Sequence, residues 1–495
     1  MIFETIIGLE IHVELKTSSK MFCACSTQFG ARPNTNTCPV CMGMPGGLPT
    51  LNQEAVRLAL RAGRALNCEI NRVSRFNRKN YFYPDLPKGY QITQSELPLC
   101  ENGYLDIELD ESEKTETETT LGKDAPSRCI KRIRIARIHL EEDAGKLIHP
   151  ENQPVTLVDY NRAGIPLIEI VTCPEAISPK AAVEFLKELK SIMEYTEVSD
   201  CRMEQGSLRC DVNVSIRKKG DEKLGTKVEI KNLNSFKEIQ KALEWEQLRQ
   251  QKLLRTSLPE QIIPETRRWD DIRGITVPMR AKDGARLGCI APEPDLPLLD
   301  LNDSSMLHFL EESLPELGAQ KRNRFVSRYG LSRYEADILT KSKQLADYYE
   351  DVVNNGAHPK EAANWILVEL LRLWRMSEHR EIPVAGQSLA ELIMLVDEGE
   401  ISRNAGKTVL SEMYETGKDP RDIINQKGLA QINSENEIKK IVEAVLDQNK
   451  NAAADYKKGS TKAAGYLMGQ IMKAGEGRVN PNIAREILED RLNKL

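Results

Sequence analysis

The sequence predicts an α+β protein in three parts: a strand-rich N-terminal region over residues 1–294, an all-helical region over 295–405 and a small helical tail over 406–495. Three observations predict this. Residues 8–15 alternate strictly between apolar and polar, the period of a half-buried strand. The stretch 292–297, EPDLP with its flanking prolines, reads as a linker. Beyond it, capping signals and apolar residues at helical spacing replace the β-type patterns. At about 100–200 residues per domain, 495 residues correspond to two to four domains.

The elements follow in order. Strands are expected at 6–15, 133–140, 155–160, 166–171, 208–216 and 227–230, among Gly/Pro turns. Asn52 caps a helix running to about residue 66, and Ser178 before Pro179 starts one running to about 195. Ser235 with Glu238 forms a capping box for a helix to about 254. In the C-terminal part, Ser388 with Glu391 and Ser434 with Glu437 are further capping boxes, and Asp419-Pro420 and Asn480-Pro481 are helix starts. Ile438, Ile441, Val442, Val445 and Leu446 form one apolar helix face, and a division near Gly406 separates two small helical domains.

Composition excludes several classes. Hydrophobic residues make up 40% and charged residues 29%, which is a globular profile and not a disordered one. No apolar run approaches the roughly 20 residues that span a membrane. Residues 1–15 carry Glu4 and no basic region, so a secretory signal is not expected. A net charge of −5 argues against a uniformly basic nucleic-acid binder but permits local basic patches. Eleven cysteines, an odd number, point to a reducing, cytoplasmic setting. Two charge runs adjoin: residues 106–124 hold eight acids and two lysines, and residues 128–137 hold five basic residues. The first reads as a solvated insertion over 108–124; the second is either the polar face of a strand or a phosphate-facing one.

Four constellations carry chemistry. Cys23 and Cys25 are followed, after twelve intervening residues, by Cys38-Pro-Val-Cys41. These thiols can close a tetrahedral zinc site with no open position, hence a structural one; the other readings are four unrelated thiols or a redox pair at Cys38 and Cys41. Glu10, His12 and Glu14 share one face of a strand, where Glu10 and His12 can flank a cation or simply face solvent. Glu141, Glu142 and Asp143 are three successive acids before a glycine turn, either solvated or neutralised by a cation or bases. Glu169 lies inside an apolar strand, where an unpaired carboxylate is costly, so it is a ligand or half of an ion pair. The sequence contains no phosphate-loop, dinucleotide or serine-elbow motif, so nucleotide chemistry here requires carboxylates and metal on a sheet.

Taken together, these motifs resemble the B subunit of the bacterial-type tRNA-dependent amidotransferases (GatB). The resemblance covers essentially the whole chain. It is carried by GLEIHVELKTSSKMFCACS, RKNYFYPDLPKGYQIT at 78–93, RIHLEEDAGK at 137–146, VDYNRAGIPLIEIVT at 158–172, MEQGSLRCDVNVS at 203–215, VEIKNLNSF at 228–236, ETRRWD at 265–270 and GYLMGQIMKAGEGRVNPN at 465–482. It implies a mainly antiparallel, glutamine synthetase-like cradle followed by helical and tail domains that hold tRNA. It also implies that ATP and Mg²⁺ phosphorylate the side-chain carboxylate of misacylated tRNA(Gln) or tRNA(Asn), and that ammonia from a separate amidase (A) subunit then displaces the phosphate. A small C subunit completes a cytoplasmic heterotrimer. Carried over residue by residue, the Mg²⁺ and catalytic set becomes Glu10, His12, Glu142 and Glu169; alternation alone does not choose Glu142 over Glu141. Lys79, Tyr81, Arg162, Asp211 and Lys231 are assigned to substrate or phosphates, and Cys23, Cys25, Cys38 and Cys41 to structural Zn²⁺. The tail, 406–495, has 15 Lys/Arg against 13 Asp/Glu, a slight positive excess in an acidic chain. One departure is at 283–296, which reads DGARLGCIAPEPDL where the family has an aromatic-rich DYRYFPEPDL. Other functions compatible with the residues are a non-catalytic, zinc-stapled tRNA-binding or assembly subunit, and an independent ATP-dependent ligase acting on a small acid.

Overall fold

A computed structural model describes residues 2–110, 119–120, 128–150, 153–256, 259–279, 289–375, 382–457 and 461–494. Most of the acidic stretch at 108–124 and of the divergent segment at 283–292 lies outside the described residues. The chain forms two compact units, Met1–Leu317 and Gly318–Leu495.

The first unit is built on an eleven-stranded sheet among the described residues. Its main strands are β1 (Phe3–Glu14), β2 (Cys100–Asp110), β3 (Arg128–Glu142), β4 (Pro166–Thr172), β5 (Leu208–Lys218), β6 (Val228–Lys231), β7 (Glu265–Asp270) and β8 (Ile275–Pro278). They lie in the order β8-β7-β6-β5-β1-β4-β3-β2, with β1 near the middle. Only the β6–β7 pair among these is parallel. The sheet is thus mainly antiparallel, with one face free to be polar.

Alternation along β1 decides which face that is. Ile7, Leu9, Ile11 and Val13 point into the core and are essentially inaccessible. Three helices contribute to the same core: α1 (Gln53–Ala65), α2 (Pro179–Tyr195) and α3 (Phe236–Arg255), through Leu58, Leu186 and Leu243 among others. Each begins where the sequence places its cap. Asn52 Oδ1 accepts from the Glu54 and Ala55 amides, Ser178 Oγ from Ala181 and Ser235 Oγ from Glu238. Glu238 completes its box one residue early, accepting from the Asn234 amide at 2.9 Å.

The first unit runs past the linker expected at 292–297. Leu299–Asp300 pairs with Val73–Ser74, and Leu299, Leu301, Met306 and Phe309 join the first core, so apolar burial carries the unit to Leu317. The second unit is helical. The boundary expected near Gly406 falls inside the helix Arg403–Thr416, where a side chain on Gly406 would collide with Trp365 and Val396. A separate C-terminal core gathers later, from Ile438 to Leu492, and includes the apolar face read from the sequence. The helix expected to start at Ser388 starts at Gly386, and Ser434 sits at its cap position without a side-chain cap bond.

Asn52 does more than cap. Its Nδ2 donates to the Ser19 and Lys20 carbonyls at 3.0 and 3.2 Å, tying α1 to the segment that precedes the first cysteine pair. Asn52→Ala should cost about 1–2 kcal/mol in urea unfolding of the first unit, the sum of a lost cap and lost tethers. Asn52→Ser, which keeps a capping oxygen but no amide donor, should fall between the two.

Candidate functional site

The open face of the sheet collects the polar side chains. In the register, His12 stands opposite Glu169 of β4 and Arg209 of β5, and Glu10 opposite Asp211. Glu169 in turn stands opposite His139 of β3. Directly opposed residues share a face, and so does Glu141, two residues beyond His139. His12 Nε2 lies 3.4 Å from Glu141 Oε1, and His139 Nδ1 lies 3.6 Å from Glu169 Oε2. One ligand atom each from His12, Glu141 and Glu169 falls within 4.8 Å of the others. Thr93 Oγ1 donates to Glu141 Oε2 at 3.1 Å, while the buried His139 Nε2 has no hydrogen-bond partner among the described residues.

The two carboxyls of this group are driven apart electrostatically. Burial pushes Glu141 up, against the opposing charge of His12. Burial also acts on Glu169, but the close approach of His139 and the charges of His12 and Arg137 outweigh it and hold the group at about 2. A site that favours charge on one carboxyl and resists it on its neighbour is one in which a divalent cation would ionise both. Glu14, next along the same face, is pushed up to about 8 by burial and by the Asp143 charge.

The sequence-derived residues divide. His12 and Glu169 are together, as expected. Glu142 is not with them: strand parity sends it to the opposite side, where it pairs with Lys88 Nζ and accepts from the Ile92 amide at 2.9 Å. Of the acidic run it is Glu141, not Glu142, whose carboxyl lies beside His12 and Glu169. The signal was available in the spacing from His139, the same two-residue step that relates Glu10 to His12. Glu10 stays on the polar face, accepting from Asn213 Nδ2 at 2.8 Å, outside the three-residue group. Lys79 Nζ sits 5.5 Å from the Tyr81 ring centre, and its charge favours the ionised form of Glu141. Tyr81 is pushed up by burial and by the carboxylates around it. Asp211 and Lys231 meet each other at 2.6 Å. Arg162 braces the acidic turn by donating to the Ala144 and Gly145 carbonyls at 3.0 and 2.8 Å. Arg209, which sequence reasoning missed, holds the buried Asp143 at 2.8 Å.

The four cysteines also converge. The Sγ atoms of Cys23, Cys25, Cys38 and Cys41 all lie within 4.8 Å of one another. A zinc tetrathiolate with Zn–S of about 2.3 Å has S···S edges of about 3.8 Å, so this donor set fits a metal such as zinc. The second pair forms a tight turn: the Cys38 amide donates to Cys41 Sγ at 3.2 Å, and the Met42 amide returns to the Cys38 carbonyl at 3.0 Å. The hydrogen bond from the Cys23 thiol, with the Cys38 amide and Lys20, pulls Cys41 well below the ordinary thiol value against burial. The same bond pushes Cys23 up.

The cysteine segment is docked on the loop before β4. Asn34 donates from its amide to Asp159 Oδ1 and accepts from the Tyr160 amide, and Asn36 donates to Asn161 Oδ1. The Met21 amide donates to the Gly164 carbonyl at 2.8 Å. Beneath this contact is a cavity of about 150 Å³ whose lining includes Lys20, Cys41, Arg78, Lys88 and Glu142.

Residues 5–307 match the family described as the GatB/GatE catalytic domain, and residues 347–492 match the GatB domain. The chain is 48% identical over 497 residues to the B subunit of the aspartyl/glutamyl-tRNA(Asn/Gln) amidotransferase of Clostridium beijerinckii, with all of both chains covered. It is 50% identical over 496 residues to the protein of that name from Thermoanaerobacter pseudethanolicus and 45% over 497 residues to that from Clostridium tetani, again over the full length of each. Among the described residues, no helix is long and apolar enough to cross a membrane.

Proposed function

The chain belongs to the GatB/GatE family, and on that footing we propose that it is the component of a tRNA-dependent amidotransferase that activates the side-chain carboxylate of Glu-tRNA(Gln) or Asp-tRNA(Asn) with ATP. The observation that carries this reading is the convergence of His12, Glu141 and Glu169 on the open face of the sheet. A carboxylate is a poor electrophile, so one of its oxygens must first become a phosphate leaving group. Phosphoryl transfer asks the protein mainly for positioning and charge neutralisation. His12, Glu141 and Glu169 would hold Mg²⁺, which when bound neutralises phosphate oxygens of ATP. Glu10 borders the site on β1. Lys79 and Tyr81 stand beside Glu141 and would contact the acid or phosphates; Asp211 and Lys231 would bind further along the same face. Arg162 and Arg209 fix the turn that carries Glu141.

The polar sheet face backed by helices supports a glutamine synthetase-like cradle. The ammonia would come from the amidase (A) subunit, with a small C subunit completing the complex. Cys23, Cys25, Cys38 and Cys41 would hold Zn²⁺ in a closed, structural site.

The test is ADP formation and amidation by the reconstituted heterotrimer on each misacylated tRNA. Glu141→Gln should lower phosphorylation of the tRNA-linked acid by about 10²-fold or more, as for loss of one preorganised charge. Glu142→Gln should leave that step within a few-fold, because its carboxylate faces Lys88. Equal losses in the two variants, or a wild-type rate for Glu141→Gln at saturating ATP, would remove Glu141 from the site and favour a non-catalytic assembly role.

Purified chain should carry one zinc per molecule, measured by metal analysis. Cys38→Ser should lose it and unfold the N-terminal segment more readily, since closing such a site contributes folding free energy. The C-terminal core should grip tRNA. Truncation after Gly428 should raise KM for aminoacyl-tRNA and flatten its salt dependence, while glutamine hydrolysis by the complex persists. Unchanged tRNA affinity in the truncated complex would assign that core another role.

A further inference from the structure

We propose that Lys20 is the compensating cation of the zinc–thiolate cluster and the strut that ties it to the loop before β4. This rests on the zinc reading above and goes beyond it, to a residue that holds no metal itself.

Lys20 is 1% exposed. Its Nζ has two partners: Cys41 Sγ at 3.7 Å and the Tyr160 carbonyl at 3.2 Å. No carboxylate pairs with it among the described residues; the nearby Glu142 is taken by Lys88. An ammonium withdrawn from water costs several kcal/mol unless an anion faces it. The sulfur of Cys41 is the atom placed to be that anion. Four thiolates around one divalent cation sum to −2, and one ammonium halves the excess. Cys41 also receives the Cys38 amide at 3.2 Å, so its sulfur is met by two donors.

The second partner gives the contact a mechanical meaning. The Tyr160 carbonyl belongs to the loop that carries Arg162, whose guanidinium holds the Ala144 and Gly145 carbonyls just after the acidic run. Gly164, at φ +90°, closes over the Lys20 stem: a Cβ there would lie 3.4 Å from Lys20 Cδ, 3.6 Å from Cys41 Cβ and 3.9 Å from Glu142 Oε2. The cysteine cluster, Lys20, this loop and the acidic turn therefore form one connected body. Lys20 is a positioning residue within it.

The test compares wild type, Lys20→Met and Lys20→Arg in the full chain. Zinc release to excess chelator should be about 10–100-fold faster in Lys20→Met, the usual consequence of removing a partner of a metal ligand. Lys20→Arg should restore most of the retention. With Co²⁺ in place of zinc, the sulfur-to-cobalt charge-transfer band should move to lower energy in Lys20→Met, because a thiolate relieved of its donor is a better electron donor, and should return in Lys20→Arg. General loosening of the fold would not produce that shift and its rescue. If Lys20→Met fails to accumulate, amine labelling of wild type read by mass spectrometry replaces it. Lys20 should be protected while zinc is bound and labelled after chelation; labelling at the rate of exposed lysines with zinc bound overturns the proposal. Equal zinc release and an unmoved cobalt band in wild type and Lys20→Met overturn it alone. A wild-type chain that holds no zinc overturns the metal reading and this proposal with it.

Discussion

The two-residue period of β1 is the constraint on which the rest of the first unit depends. Because β1 has β4 and β5 on either side, its alternation is imposed on both neighbours through the register. A slip of one residue would turn Ile7, Leu9, Ile11 and Val13 to the open face and bury Glu10, His12 and Glu14 under the helices. At about 1.5–3 kcal/mol for each large apolar side chain buried, that register is strongly preferred. The same pairing sets His12 against Glu169 and Glu169 against His139, so core packing and site assembly are fixed by one set of hydrogen bonds.

This explains what was legible from the residues. Alternation, caps and the cysteine spacing are local, and they led to β1, the starts of α1, α2 and α3, and the four thiols. The end of the first unit was not legible. The prolines at 292–297 mark a real break in regular structure, but Leu299 and Phe309 are drawn to a core assembled from distant segments. Gly406, where the sequence reading puts a division, lies inside a helix. In the fold it admits the Trp365 ring to close approach, a tertiary reason that overrides local propensity.

The site was half legible. His12 and Glu169 share the polar face by pattern alone. Arg209 and Lys88 lie inside two of the quoted motifs but carry no signal of a role there; they acquire one only in the fold, where Arg209 meets Asp143 just past the end of β3 and Lys88, next to the strand Tyr90–Gln94, meets Glu142. Choosing between Glu141 and Glu142 needed strand parity across two neighbours. The resemblance offered the pair without the direction in which each side chain points.

The acidic run makes the last step of this reasoning. Three adjacent carboxyls, Glu141, Glu142 and Asp143, would repel strongly if they faced the same space, and all three are buried. The end of β3 separates them by direction. Glu141 faces His12 and Thr93 on the open side, Glu142 faces Lys88 beside the cavity that Cys41 also lines, and Asp143 is held by Arg162 and Arg209. Each carboxyl faces a different set of groups, so the three do not repel one another at close range. Adjacency is what matters here: one peptide step separates Glu141, beside His12, from Glu142, beside the cavity that Cys41 lines. The loop 159–164 then clamps both, since Arg162 holds the turn after Asp143 and the Tyr160 carbonyl takes Lys20. A displacement of the cysteine segment therefore reaches the end of β3 through covalent backbone and charge-assisted hydrogen bonds, in addition to the apolar core that Met21 and Phe22 share with Leu140.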